Sequence, residues 1–368
     1  MSTKKDKFSL KDNTFMKLAL KLARSRIGLT GNNPSVGCVI VKNDIIISIG
    51  QTGYNGRPHA EYKAIKNSFQ DVRGSKMYVT LEPCNHYGLT PPCTNIIIKS
   101  GIKKVYYSIE DIDKKVKGKS YKILTKNKIK VKQGLLKNEA KILYKSYIIN
   151  RKKKLPYVTG KIAISKNKIF FKKGVKRITD QVSDKLTHYL RFKNDAIMIS
   201  SNTLNADNSK LNCRLKGYEK FSPKRIILDK NLSIKFNSFI FKSAIKGNTI
   251  IFHNSLNLKK IKILQKKGIN LVKFNLDKNK HFDPKKILRK LYTLGVRYLL
   301  LEGGDKITKN FLKNRLINEF YLFRSPKNLS KNKNHLIFTS LGILDKEYSV
   351  KSTIRSKLAK DNITIYKK

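Results

Sequence analysis

A chain of 368 residues with 40% hydrophobic content has material for two domains, each with its own core, which excludes a disordered tail. Its 81 Lys and Arg against 24 Asp and Glu leave a net charge of +57, but the lysines run from Lys4 to Lys368 without a basic stripe interleaved with aromatics; the joint excess of Lys, Asn and Ile reads as A/T-biased codon usage, and no specific nucleic-acid partner is expected. The four cysteines, the lack of a long apolar run and the absence of a leader-like stretch in Met1 to Asn13 argue against a disulfide framework and a membrane partner, so a soluble cytoplasmic protein is expected.

After a polar N-terminal arm, Asp12-Asn13-Thr14 offers a helix cap, and Phe15, Leu18, Ala19, Leu22 and Ala23 recur at helical spacing up to Gly28. The loop Thr30 to Pro34 leads into apolar strands, Val36 to Val41 and Ile45 to Ile49, joined by the hairpin signal Asn43-Asp44. Pro58-His59-Ala60-Glu61 follows. Met77 to Leu81 then reads as a strand, ending at Glu82-Pro83 with Cys84 in the turn beyond. Pro91-Pro92 opens an apolar helix, Cys93 to Lys99, that Gly101 closes.

His59, Cys84 and Cys93 form a donor set of one nitrogen and two sulfurs, suited to tetrahedral zinc with its fourth position left to water. Glu61 is the carboxylate outside that set, able to move a proton. H-x-E followed by P-C and a later Cys is the order found in zinc deaminases. Cys93 in a first helical turn would also be favoured as thiolate by the helix dipole.

The insert between the cysteines, with Asn33-Pro34-Ser35-Val36-Gly37-Cys38 upstream, resembles the deaminase half of the bifunctional riboflavin-biosynthesis deaminase/reductases, whose insert reads S-H-x-G-[KR]-T-P-P-C. His86, Gly88, Thr90, Pro91, Pro92 and Cys93 match; Leu89 stands where the family has a basic residue, and Asp111-Ile112-Asp113-Lys114 where it has D-P-N-P. The resemblance implies a cytidine-deaminase-like α/β/α fold over residues 1–150, with Asn33 and His86 contacting the substrate.

From Lys104 onward strand Val105 to Ile109, a helix near Ser120 to Thr125, strand Ile129 to Lys132 and a helix from Asn138 to about Asn150 alternate, which implies a mostly parallel sheet covered on both faces. The basic run 151–156 reads as a linker before a second domain, 157–368. There Tyr157 to Ser165 is a strand, Asp180 to Phe192 a helix, and Asp195 to Ser200, Arg225 to Asp229 and Thr249 to Phe252 further strands. Asp283-Pro284 caps a helix that Gly295 ends, giving way to strand Arg297 to Leu301. Glu302-Gly303-Gly304 comes next, then a helix from Asp305 to about Asn314. By itself the double glycine is either a tight turn or a phosphate-binding approach to a helix N-terminus.

This half resembles the family's reductase, a dihydrofolate-reductase-like α/β fold using NADPH, through Lys161, Ser165, Ile178-Thr179, Arg191, Thr203, Ala206-Asp207, Leu211, Arg214, Glu302-Gly303-Gly304 and Pro326-Lys327. The resemblance implies that Ala163, Thr203, Asp207, Gly303 and Gly304 face NADPH. It sets Lys161, Ser165, Arg191, Leu211, Arg214 and Glu302 toward the substrate. Two departures are expected to touch the cofactor pocket: the family's S-L-D-G is Ser165-Lys166-Asn167-Lys168, and its tryptophan before I-T is Arg177. The expected activity is zinc-dependent deamination of a pyrimidine ribosyl phosphate followed by NADPH-dependent reduction, in a homo-oligomer. The rival readings are a deaminase with an impaired reductase domain and a basic RNA-binding protein with a relict deaminase domain.

Overall fold

The computed structural model describes residues 8–331, 334–354 and 360–368, so the first seven residues of the polar N-terminal arm lie outside it. The chain divides into two compact units, Met1–Lys154 and Leu155–Lys368.

In the first unit α1 (Leu10–Arg26) precedes β1 (Gly37–Lys42), β2 (Ile45–Gln51), α2 (Ala60–Lys66), β3 (Lys76–Leu81), α3 (Cys93–Lys99), β4 (Lys104–Ile109), α4 (Lys119–Lys126), β5 (Lys130–Gln133), α5 (Lys137–Leu143) and α6 (Lys145–Lys153). The cap of α1 is Ser9 rather than Asp12: the Ser9 hydroxyl accepts from the Asp12 N–H while the Asp12 carboxylate accepts from the Ser9 N–H, so Asp12 is the third helical residue of a capping box. Among the described residues the sheet runs β2-β1-β3-β4-β5. It is mixed rather than mostly parallel, because the hairpin lays β2 antiparallel on β1, and β1 is antiparallel to β3. Only β3, β4 and β5 are parallel. Asn43 and Asp44 both take positive φ, 51° and 60°, as a tight primed turn requires.

Helix α1 packs on β1 and β3 and meets α5, while α2 packs on β1 and β2 and meets α3. Sandwiched so, β1 buries Val39, Ile40 and Val41 completely, which is why its sequence is continuously apolar instead of alternating. A Cβ at Gly37 would lie 2.0 Å from the Ala19 carbonyl oxygen, so glycine sets the closeness of α1 to the sheet.

The expected helix from Asn138 is two helices divided at Tyr144, whose ring is buried and whose hydroxyl bonds with that of Thr80. Nor is 151–156 all linker: α6 continues through Lys153 and ends at Lys154 in the left-handed region, φ 54°. Lys and Arg are good helix formers and suit the negative end of a helix dipole, so the basic run extends the helix.

The second unit contains β6 (Tyr157–Ile164), β7 (Ile169–Lys172), α7 (Gln181–Phe192), β8 (Ala196–Ser200), α8 (Ser201–Asp207), β9 (Lys224–Leu228), α9 (Phe239–Lys242), β10 (Thr249–His253), α10 (Leu258–Lys266), β11 (Asn270–Lys273), α11 (Pro284–Thr293), β12 (Tyr298–Leu301), α12 (Asp305–Lys313), β13 (Glu319–Arg324), β14 (His335–Ile337), α13 (Leu341–Glu347), β15 (Val350–Ile354) and β16 (Asn362–Lys367). Its described strands form a nine-stranded sheet, β11-β10-β9-β8-β12-β6-β13-β16-β15, and a separate β14-β7 ribbon. The ladder is parallel from β11 to β13 and antiparallel across β16 and β15. Chain order reverses where β8, β12 and β6 meet, the place where open α/β sheets leave a crevice beyond the strands' carboxyl ends. No helix among the described residues is long and apolar enough to cross a membrane.

Candidate functional site

In the first unit the local folds converge three donor atoms. His59 is the N-cap residue of α2, Cys84 follows β3, and Cys93 is the first residue of α3. The ligand atoms of all three lie within 4.8 Å of one another. His59 Nδ1 is 3.2 Å from Cys93 Sγ and 3.5 Å from Cys84 Sγ, and the Cys93 N–H donates to Cys84 Sγ over 3.2 Å. Hydrogen bonding from Cys93 and from His59 outweighs burial and pulls Cys84 down to about 4, while the bond with Cys84 and burial push Cys93 up. His59 is pushed up chiefly by its bond to Cys84, against burial and the Arg57 charge. One imidazole nitrogen and two cysteine sulfurs converging within 4.8 Å fit zinc.

Glu61, in the first turn of α2, is buried beside these atoms and outside the ligand group. Burial, then the Cys84 charge, raises its carboxyl to about 7, so near neutral pH it can hold or release a proton. Asn33 Nδ2 donates to the Gly56 carbonyl over 3.0 Å, tying the Thr30–Pro34 loop to the segment that delivers His59. His86 is half-buried in the insert, and its Nδ1 has no hydrogen-bond partner among the described residues. Leu89 points to solvent, 89% exposed.

Glu82 supports this centre from behind. Its carboxylate accepts the N–H groups of Asp111 (3.2 Å), Gly118 (3.0 Å) and Ser120 (3.1 Å), and the Ser120 hydroxyl returns a bond to the Pro83 carbonyl. Asp111, where the family's D-P-N-P begins, is buried and accepts from the Asp113 N–H and the Tyr147 hydroxyl, so it shapes its own loop.

In the second unit a cleft of about 1260 Å³ opens at the carboxyl ends of β6, β8, β9 and β12. Lys161, Ala163, Thr203, Asp207, Glu302, Gly303 and Gly304 all line it. A Cβ on Gly303 would lie 2.0 Å from Ile307 Cγ2; one on Gly304 would approach Phe170 at 3.3 Å and Thr203 Oγ1 at 3.6 Å. Both glycines therefore serve close approach, at the N-terminus of α12, where unpaired N–H groups favour an anion. With several lysines and the aromatic Phe170 and Phe171 in its lining, the cleft has the size and chemistry for a dinucleotide.

Glu302 joins the cleft to a second cluster. Arg191 Nε and Nη2 reach its two oxygens, each at 2.8 Å, and Arg191 Nη1 donates to the Asn212 carbonyl over 3.0 Å. Burial alone would raise Glu302, but the Arg191 charge holds it down at about 2. Lys161 is pushed below the usual lysine range by burial, and its Nζ sits 5.0 Å from the Phe323 ring centre. Arg214 is exposed; its N–H donates to His188 Nδ1 (3.2 Å) and its Nη1 to Asn212 Oδ1 (2.9 Å). Ser165 and Leu211 are outside the cleft's lining: the Ser165 hydroxyl bonds Asn167 Oδ1 and accepts from the Ile169 N–H, and Leu211 lies in an apolar cluster with Leu190 and Ile227.

Lys168 and Arg177 do not line the cleft either. Lys168 takes φ 68° in the turn after β6, and Arg177 Nε pairs with Asp184 at 2.8 Å. The aromatic surface comes instead from Phe170 and Phe171, and the cations from Lys230, Lys280, Lys306, Lys309 and Lys313. Sequence reasoning missed these lysines, since nothing separates them from the other basic residues. It also missed His188, although the three-residue step to Arg191 puts both on one face of α7.

Comparison with known proteins agrees with this division. Residues 9–109 match the cytidine and deoxycytidylate deaminase zinc-binding region, and residues 156–361 match the RibD C-terminal domain. The chain is 34% identical to the riboflavin biosynthesis protein RibD of Aquifex aeolicus over 97% of its own length and 98% of the relative's. It is also 34% identical to RibD of Bacillus amyloliquefaciens, over 85% and 84%. Among solved structures, Acinetobacter baumannii RibD superimposes with a TM-score of 0.82 at 26% identity, covering 97% of this chain and 98% of that one. A deaminase/reductase from Thermotoga maritima gives 0.78 at 29% identity, over 97% and 99%. The chain belongs to the RibD family of riboflavin biosynthesis proteins and is a bifunctional enzyme, a deaminase joined to a reductase.

Proposed function

We propose that the first unit removes an amino group from 2,5-diamino-6-ribosylamino-4(3H)-pyrimidinone 5′-phosphate and that the second reduces the product's ribosyl group to ribityl with NADPH. The observation that carries the first half is the buried Glu61 carboxyl beside the His59, Cys84 and Cys93 donors but not among them. Zinc held by those three residues would supply a Lewis acid that makes water acidic near neutral pH. As the water oxygen bonds to the ring carbon, Glu61 takes the proton that water gives up and passes it to the ring nitrogen; it then takes the proton of the new hydroxyl and hands it to the amine, which leaves as ammonia as a ring carbonyl forms. Asn33 and His86 hold the pyrimidine against this centre.

In the second unit Ala163, Thr203, Asp207 and the Gly303-Gly304 turn would hold NADPH, which would supply the hydride. Lys161 and Glu302 orient the opened sugar, and Arg191 fixes the Glu302 carboxylate in place. The contribution of Ser165 is to hold the turn after β6, and that of Leu211 is to back the loop that presents Arg214. Purified protein given the pyrimidine substrate should release ammonia without NADPH and oxidise NADPH only after that release. NADPH oxidation with no ammonia released, or neither reaction in zinc-loaded protein, would overturn the assignment.

A further inference from the structure

We infer that Arg57 is the cation that binds the substrate's 5′-phosphate at the deaminase site, in place of the basic residue that this chain lacks at Leu89. The inference rests on the substrate reading above and names a residue that no motif of the family marks.

The insert between the two cysteines turns sharply at its tip, where the Gly88 N–H donates to the Thr90 carbonyl over 3.3 Å and throws the intervening Leu89 side chain into solvent. Leucine there offers no partner to an anion. Arg57 approaches the same tip from the segment that carries His59, two residues before that ligand. Its Nη1 donates to the Thr90 hydroxyl, and a Cβ on Gly88 would lie 3.8 Å from its Nη2. The guanidinium thus lies against Gly88 and Thr90, the residues on either side of Leu89, at the exposed tip of the insert.

The backbone below Arg57 is fixed. Asn33 holds the Gly56 carbonyl, and a Cβ on Gly53 would run into the Arg57 carbonyl oxygen at 1.9 Å. The positive charge therefore has a defined place, close enough for His59 to feel it. A guanidinium carries five donors in a planar fork matched to phosphate, and among the described residues only Nη1 is hydrogen-bonded. Asn33 is thus anchored at the residue just before Arg57, and in the proposed division of labour Asn33 and His86 serve the base and Arg57 the phosphate.

The test compares Arg57→Gln, Arg57→Lys and the double variant Arg57→Gln/Leu89→Lys in the full chain, using ammonia release from the 5′-phosphate substrate and from its dephosphorylated riboside, with zinc content measured alongside. Arg57→Gln should raise KM for the phosphorylated substrate roughly 10- to 100-fold, as loss of a charge-assisted bond predicts, with kcat nearly unchanged. The riboside should be insensitive, Arg57→Lys should lie between, and Leu89→Lys should recover much of the loss. Equal losses on both substrates, or lowered zinc, would make Arg57 a clasp on Thr90 and overturn the inference; so would an unaltered KM. Failure of the unaltered, zinc-loaded protein to release ammonia from the phosphorylated substrate would instead overturn the function on which the inference rests.

Discussion

Arg191 and Glu302 face each other as a two-pronged ion pair, Nε to Oε1 and Nη2 to Oε2 both at 2.8 Å, with their side chains only 12% and 11% exposed. The two residues stand 111 positions apart, one on α7 and one just beyond β12, so the pair fixes the helix against the floor of the cleft. Removing one partner strands a buried charge. Arg191→Met should destabilise the second unit by about 3 kcal/mol, within the range for breaking a buried pair, and chemical denaturation followed by circular dichroism will read the loss. Arg191→Lys, which cannot span both oxygens, should recover only part of it.

Acid should act on the same cluster in two steps. Burial, helped by the Arg191 and Arg214 charges, lowers His188 from 6.5 to about 4, and Glu302 is lowered from 4.5 to about 2. For both groups the unfolded chain binds more protons than the folded one between the two values, so stability rises with pH through each window. The contribution of neutral His188 is complete above 6.5 and lost on the way down to 4; that of ionised Glu302 is complete above 4.5 and lost toward 2. Denaturation midpoints at a series of pH values should show both declines, and His188→Gln should flatten the upper one alone.

At the metal centre, Glu61→Gln should keep zinc and lose deamination by at least about 100-fold, the usual range for a general acid–base residue. Cys84→Ser should lose the metal as well. Metal analysis paired with ammonia release separates the two effects.

For the cofactor cleft, Gly304→Val should abolish NADPH binding while deamination continues. The added carbons would fill the gap that leaves Phe170 at 3.3 Å and Thr203 at 3.6 Å from the missing Cβ. Titration of NADPH fluorescence against each protein, with ammonia release as the control, tests this.

The charge should produce only weak nucleic-acid binding, without sequence preference. It should fall steeply with added salt as released counterions dictate. Filter binding with two unrelated RNAs across a salt series checks both points.

The deaminase centre was legible because His59, Glu61, Cys84 and Cys93 carry their chemistry in residue type and spacing. The helix that presents Glu61 was not, since Ala60–Lys66 is only 7 residues, too short for an apolar period to show. In the reductase half the resemblance located positions but not the directions of side chains. Lys168 adopts a positive φ in a turn, and Arg177 turns to Asp184, so neither meets the cofactor cleft. Strands β13 to β16 escaped because their pairing is set by distant partners: β13 lies parallel to β6, well over a hundred residues upstream, and β15 is exposed throughout.

Among the described residues strand β15 ends the nine-stranded sheet with no further strand paired on its outer side, and Val350 and Ile354 on it are 53% and 41% exposed. Such an edge is a template on which a strand from another molecule can add, and nature commonly deters that with charge. Here the deterrent is the whole molecule, since two copies each carrying +57 repel before their edges meet. That repulsion reaches roughly 30 Å in 0.01 M salt but only about 3 Å in 1 M salt. The protein should therefore keep in clear solution when salt is low and grow cloudy as it is raised, and a storage buffer chosen to calm its surface charge would expose its most adhesive seam.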